Sequence, residues 1–599
     1  MHRLSMFVVL LVTMPGVIAS WQDDLTAIER QDWSRQHAAH LLERAGFGGT
    51  PEEINRLYQL GPKKAVQQLV YFKRLPRQTL PKFLHSGVFH DGLDPFPPSR
   101  PATTQLAKDN GEALGIKVKA SGNRPIQPVV NEFFYWLRAS RLETDRVTYW
   151  WANRMLTSNR PLEEKMALFW HGHFATNEDK VRDYRKMLQQ LNLFQTKGLG
   201  DFRSLLIATA QDPAMLAFLD AGVNVKGSPN ENFAREIMEL FTMGVGNYTE
   251  EDIREAARAF TGWNYSGLSF YISEEDHDDT EKKFLGHHGN FDGVDIIAII
   301  LEQDETAEYI ARKIYQYFAR EEMSNTLLHS LSRQLKTSDY DISAFLELIF
   351  LSKDFYSDES IATRIKSPVE LVISTYHKLG LTRVPGVPDF NLTTEALGQR
   401  LMHPPTVAGW SQGRSWVTPS LLFERGNFVL DTVYPDIAFI PPDRYPTYGS
   451  PIVTVHKRLR QGLDITSATK PPGKDTSSDM MAASNLLADR DEAFNTRYGS
   501  YRGWQMAIEK VIPIPRHTAQ LTLTGQIMQA ELATPRAVVD YFVGRFISVP
   551  LSEDTLLMLT KLFEEELGTE DIESASSYLE DPLRILLHVI LSRPEYQLG

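Results

Sequence analysis

Apolar residues recur every three or four positions through most of this chain, and alternating apolar runs, the mark of half-buried strands, are scarce. From Asp24 onward, Trp33, Ala38, Leu41, Leu42 and Ala45 keep helical spacing and stop at Gly46. Thr50 is an N-cap followed by Pro51-Glu52-Glu53, and Leu60-Gly61-Pro62 closes that second helix. Trp150 to Met155 fall in one helix, Pro161 to Trp170 in the next, which is predicted to end at Gly172, and Phe202 to Asp220 in another. The pattern resumes at Val294 and persists to Gly380. The predicted class is all-α, mainly short helical hairpins with long irregular loop insertions. With 42% hydrophobic residues among 599, there is enough apolar side chain for a large core.

The start of the chain sets the expected compartment. Met1-His2-Arg3 is a short basic start, Met6 to Val17 is mostly apolar, and Val17-Ile18-Ala19 precedes Ser20. Residues 1–19 therefore read as a secretory signal peptide. An N-terminal membrane anchor is the competing reading, although the run falls short of the ~20 apolar residues that span a bilayer. With no cysteine after the small residues, a lipoprotein anchor is excluded, and no later stretch is long and apolar enough for a transmembrane helix. The expectation is an exported protein, periplasmic or extracellular.

The remainder divides into an N-terminal helical segment with a Pro-rich loop over 20–130, a main helical domain over 131–440, a loosely structured insertion over 441–517 and a C-terminal helical module over 518–599. A second irregular stretch runs from Trp263 to Gly293. One internal echo stands out. Thr306-Ala307 leads to Ile349-Phe350-Leu351-Ser352-Lys353-Asp354-Phe355-Tyr356, as Thr534-Pro535 leads to Val589-Ile590-Leu591-Ser592-Arg593-Pro594-Glu595-Tyr596. Either two ordinary hairpins share a turn sequence, or the C-terminal module is a pseudo-repeat.

Composition removes several functions. The chain has 63 Lys and Arg against 76 Asp and Glu, a net charge of −13, so its overall field repels nucleic acid. It has no cysteine, which excludes thiolate nucleophiles, iron–sulfur clusters, cysteine zinc sites and thioether-linked haem. No GxGxxG after a strand, Walker loop, HExxH or GxSxG elbow is present, so a nucleotide cofactor is not expected. Any metal must be held by His, Asp, Glu or Asn.

Three constellations could carry chemistry. In Phe169-Trp170-His171-Gly172-His173-Phe174, two histidines beyond a helix end at Gly172 would face one side and hold a divalent transition metal. Within a continuing helix they would diverge by roughly 200°, and they could equally cap the helix C-terminus. In Ser228-Pro229-Asn230-Glu231-Asn232-Phe233-Ala234-Arg235-Glu236-Ile237-Met238-Glu239, Ser228 and Glu231 form a capping box, and Glu236 and Glu239 lie one turn apart as a candidate ligand and base. Ion pairing through Arg235 competes with that use. His277-Asp278-Asp279 could complete such a site from a loop, or be a solvated acidic turn. Trp263, Trp410 and Trp416, with Arg425, could line a substrate groove, against the alternative that the rings are packed in the core.

Pro161-Leu162-Glu163-Glu164-Lys165-Met166 with the histidine pair, Asn230 to Thr242, Ala256-Ala257-Arg258-Ala259-Phe260-Thr261-Gly262-Trp263, Lys366-Ser367-Pro368-Val369-Glu370 and Pro404-Pro405-Thr406-Val407-Ala408-Gly409-Trp410 together resemble the bacterial "domain of unknown function 1800" family, from about His37 to the C-terminus. The resemblance implies a largely helical, exported protein. It also implies an exported, sulfatase-like partner of the "domain of unknown function 1501" family, often encoded beside it. A Lys-Thr pair common in the family before Leu285-Gly286 is replaced here by Lys282-Lys283-Phe284. The leading expectation is a metal-dependent hydrolase acting on a cell-envelope or extracellular polymer. In it His171, His173 and Glu239 are ligands, His277 and Asp278 close the site, and Glu236 is the base. The alternative is a non-catalytic assembly protein working with the sulfatase-like partner.

Overall fold

A computed structural model describes residues 21–72, 80–90, 127–435 and 496–599, so the predicted leader and most of the 441–517 insertion lie outside the described residues. Among those described there are 23 α-helices and two two-stranded sheets, a mainly α fold. The N-terminal layer is α1 (Arg35–Ala45), α2 (Pro51–Leu60) and α3 (Pro62–Val70). The long α4 (Gln127–Thr157) leads to α5 (Pro161–His173), α6 (Glu178–Val181), α7 (Tyr184–Lys197), α8 (Phe202–Ala210), α9 (Pro213–Phe218), α10 (Glu231–Glu239) and α11 (Glu250–Ala259).

Two hairpins, β1 (Trp263–Ser266) with β2 (Ser269–Ile272) and β3 (Lys282–Phe284) with β4 (His287–Gly289), occupy the stretch whose sequence reads as irregular. Then come α12 (Gly293–Glu302), α13 (Asp304–Phe318), α14 (Asn325–Thr337), α15 (Ile342–Leu351), α16 (Pro368–Lys378), α17 (Phe390–Ala396) and α18 (Pro419–Val433). The chain ends with α19 (Thr496–Lys510), α20 (Leu523–Gln529), α21 (Pro535–Phe546), α22 (Glu553–Leu567) and α23 (Glu580–Leu591). No described helix is long and apolar enough to cross a membrane.

Capping residues set many of the boundaries. Ser34, Thr50, Thr249 and Ser367 each form a reciprocal capping box, with His37, Glu53, Asp252 and Glu370 respectively, each cap contributing about 1 kcal/mol. Besides the end of α5, which runs through His173, two boundaries differ from the sequence reading. The expected single helix over Phe202 to Asp220 breaks between α8 and α9, because Pro213 has no N–H to continue the ladder and the Asp212 carboxylate accepts from the Ala214 and Met215 amides. The expected Ser228–Glu231 box is not used either. Asn230 caps α10 instead, accepting from the Asn232 amide.

The end of the 441–517 stretch is also ordered: α19 packs along α4, and a Cβ at Gly503 would sit 2.4 Å from the Tyr135 nitrogen, so only glycine allows this approach. The two echoing segments share an element order. Helices α13, α14 and α15 end in a short 3₁₀ turn, Asp354–Tyr356, as α21, α22 and α23 end in Pro594–Gln597. Each turn then bridges to an extended strip that leads into a capped helix, Ala27 with Ser352 ahead of α1 and Ile365 with Leu598 ahead of α16.

Helix α5 is buried on nearly every side and packs against α1, α3, α4 and α7, the position of a central core helix. It carries charge into that core. Lys165 Nζ lies 2.6 Å from Glu370 Oε1, which Arg364 also contacts at 3.0 Å. Glu43 of α1 takes Lys378 at 2.8 Å and Lys366 at 3.3 Å. Arg44 donates to the Phe318 and Tyr317 carbonyls at the end of α13. Glu164 accepts from Trp151, Arg154 and Gln195, fixing α5 to α4 and α7.

Removing one member of such a network strands its partners in low dielectric. Glu370→Ala is therefore expected to destabilise the fold by about 3–5 kcal/mol, because Lys165 and Arg364 lose their shared anion. Thermal and urea melts check this, and a melting temperature equal to that of the unsubstituted protein would rule out a structural role for the network.

Candidate functional site

The residues singled out in the sequence are all accounted for, and they do not assemble into one metal site. Helix α5 does not stop at Gly172 but continues through His173, so the two imidazoles leave it in different directions. His171 is buried, and its Nε2 accepts from the Met402 amide at 3.0 Å, which consumes that lone pair. His173, also buried, uses Nε2 to donate to the Phe241 carbonyl at 3.0 Å and stacks on Phe169.

The carboxylates have other partners too. Glu239 accepts from the Tyr248 hydroxyl at 2.9 Å. Glu236 is half-buried, and burial with the adjacent Glu239 raises its pKa from the ordinary value. His277 donates from Nδ1 to the Thr261 carbonyl at 2.8 Å. Asp278 is bonded to Arg258 and Thr280, which hold its carboxyl low despite the opposing cost of burial. These two residues tie the hairpin region to α11.

The aromatic groove is likewise corrected. Trp263 and Trp416 are buried, Trp263 against Phe233, Phe260 and Phe270. Arg425 is 1% exposed and spends its guanidinium on the Trp416 and Lys366 carbonyls and the Gln597 amide oxygen, so it is a core tie rather than a substrate contact. Trp410 is 9% exposed and lines a cavity of about 390 Å³.

Among the described residues, one group of three His, Asp or Glu side chains brings ligand atoms within 4.8 Å of one another: Glu178, Asp179 and His403. Its geometry is built by a loop clamped onto the start of α6. The Glu178 amide donates to the Met402 carbonyl at 2.9 Å, and Asn177 Nδ2 donates to the Pro404 carbonyl at 2.9 Å. His403 is thereby held between two fixed carbonyls. Met402 has a left-handed backbone (φ 63°), uncommon for a residue other than glycine, and its amide is pinned by His171.

The His403 side chain is only 7% exposed, and both ring nitrogens are buried without a hydrogen-bond partner. Nδ1 lies 3.5 Å from Asp179 Oδ2, an electrostatic contact without hydrogen-bond alignment. Glu178 is buried and accepts from Ser140 at 2.8 Å, and burial raises its pKa. Asp179 and Pro404 open onto a cavity of about 710 Å³ that also presents Asn177, Lys180, Arg182, Asp220 and Asn230. An imidazole and two carboxylates are a ligand set suited to zinc or manganese. Sequence reasoning missed it because His403 is followed by Pro404-Pro405, which reads as a plain turn, and its carboxylates come from a distant helix.

The buried histidines make a pH prediction. Burial, the largest cause, pushes His40, His171 and His173 down to about 3, against an ordinary 6.5. The unfolded chain then takes up protons first, so the stability these neutral rings provide is present above pH about 6.5 and is lost as pH falls toward 3, at up to about 1.4 kcal/mol per pH unit for each. The melting temperature should fall between pH 7 and 5, with a shallower fall in His173→Gln, whose amide keeps a donor for Phe241. A flat profile over that range would contradict the assignment.

Compared with other proteins, the chain matches no curated protein and no solved structure. One family model matches it over residues 40–598, and on that match the chain belongs to the family described as "Protein of unknown function (DUF1800)".

Proposed function

We propose that the protein is a metal-dependent hydrolase working outside the cytoplasm on an envelope or extracellular polymer, with its ion at Glu178, Asp179 and His403. The observation that carries this reading is the His403 ring, buried between two carboxylates with neither nitrogen hydrogen-bonded. Buried polar groups are nearly always satisfied, and an ion would satisfy one of the two nitrogens. Three protein ligands leave room for water, the composition of catalytic rather than closed structural sites. A divalent ion held there would supply Lewis acidity and lower the pKa of water.

The protein's own residues have separate tasks. Ser140 orients Glu178, and the clamp of Asn177 and His171 on the 402–404 backbone fixes His403. Lys180, paired with Asp220 at 2.7 Å, and Asn230 offer donors for the polar groups of an ester, amide or glycosidic substrate in the adjoining cavity. The leader-like first residues support the compartment.

Elemental analysis by plasma mass spectrometry, with zinc and manganese titrations of the metal-stripped protein, tests this. One equivalent is expected in the unsubstituted protein and in His173→Gln. In His403→Ala it should be lost together with any turnover found in an ester, amide and glycoside screen. Absence of binding after reconstitution, or full binding by folded His403→Ala, would refute the site.

A further inference from the structure

A second cavity, of about 390 Å³, opens on the other side of the α5 terminus, between α13 and the 408–412 loop. Its electrostatics follow from the buried ion network. Among the described residues Glu43 and Glu370 are the carboxylates paired within the group of Arg44, Lys165, Arg364, Lys366 and Lys378, so cationic side chains outnumber anionic ones there, although burial lowers Lys165 to about 8 and Lys366 to about 7. Arg364 brings that excess to the cavity wall. One of its nitrogens contacts Glu370, but among the described residues Nη2 has only the neutral Gln412 Oε1, at 3.2 Å.

Lys313 faces the same space from α13. Its ammonium lies 5.3 Å from the Tyr309 ring centroid, and among the described residues it has no ion pair with a carboxylate. Tyr317, 6% exposed, also lines the cavity, and its hydroxyl is buried without a hydrogen-bond partner while the Arg364 guanidinium sits 4.6 Å from its ring centroid. Trp410 forms an aromatic wall, held edge-on against His171 at 5.4 Å. Among the described residues, Glu321 is the one carboxylate lining the cavity.

We propose that this cavity binds a sugar ring carrying an anionic substituent, with Lys313 and Arg364 on the anion and Trp410 against the ring. Two cations lacking their full complement of anions select a carboxylate, sulfate or phosphate ester. The Gln412 amide adds a neutral hydrogen bond, and Glu321 accepts from a ring hydroxyl. The volume suits a single sugar or a disaccharide. This site needs no metal and stands apart from the hydrolase reading.

Isothermal titration in chelator tests it, with glucuronate, glucose 6-sulfate and glucose 6-phosphate as the probes that distinguish the anion, glucose as the neutral control and inorganic sulfate and phosphate as the bare anions. At least one acidic sugar should bind, and glucose should not. Lys313→Glu, on an exposed residue without an ion pair, should weaken that binding about tenfold or more, and Lys313→Arg should retain it. Gln412→Glu, at an exposed position, is the second variant and should weaken it as well. Equal binding of glucose, unchanged affinity in folded Lys313→Glu and Gln412→Glu, or inorganic anions binding as tightly as the acidic sugars would each overturn the proposal.

Discussion

Two buried carboxylates, Glu43 and Glu370, hold together elements that are far apart in the chain. Glu43 joins α1 to Lys366 and Lys378, and Glu370 joins α16 to Lys165 of α5 and to Arg364. Lys366 also donates to the Tyr596 carbonyl, and the Tyr596 hydroxyl meets Thr375 Oγ1 at 2.5 Å, so the C-terminal turn closes onto the same cluster. Desolvating so many charges is costly, and apolar replacements would often be as stable. What the network provides is a set of directional constraints that a greasy core lacks. It fixes the register of α1, α5, α13 and α16 and places Arg364 at a cavity wall.

The second constraint is the interlock between the α5 terminus and the 402–412 loop. His171 binds the Met402 amide and packs against Trp410, while a Cβ at Gly409 would lie 2.2 Å from the Gly172 carbonyl oxygen. A side chain at Gly409 would push the loop away from the helix. The loop in turn carries His403 toward the cavity beside α6 and Trp410 toward the one beside α13. His171 is thus the fastening between two candidate sites, while His173 ties the same helix end to Phe241. Movement of this loop would be felt at both, which links local backbone geometry to function.

Much of the fold was legible in the sequence because helices announce themselves locally. The Thr50 cap with Pro51, the stop at Leu60-Gly61-Pro62 and the helical spacing of Leu41, Leu42 and Ala45 are each settled within a few residues. Sequence pattern and structure part where competing local signals meet. Gly172 looked like a terminus, yet tertiary packing on both flanking histidines carries the helix past it. At α10, Asn230 displaced Ser228 as the cap.

The candidate site was barely legible. A motif with two histidines and nearby carboxylates drew attention to side chains that turn out to be satisfied by the Met402 amide, the Phe241 carbonyl, Tyr248 and Arg258. The group left unsatisfied, His403, is a single residue before two prolines, and its partners Glu178 and Asp179 meet it only after α5 and the 402–412 loop have docked across a separation of 231 residues. By itself the sequence determined the helical class and many helix boundaries, since those rest on periodicity, caps and proline chemistry within one or two turns. Which buried groups end up paired, and which are left to bind something else, only the tertiary structure decided, because hydrogen-bond satisfaction is a property of neighbours in space.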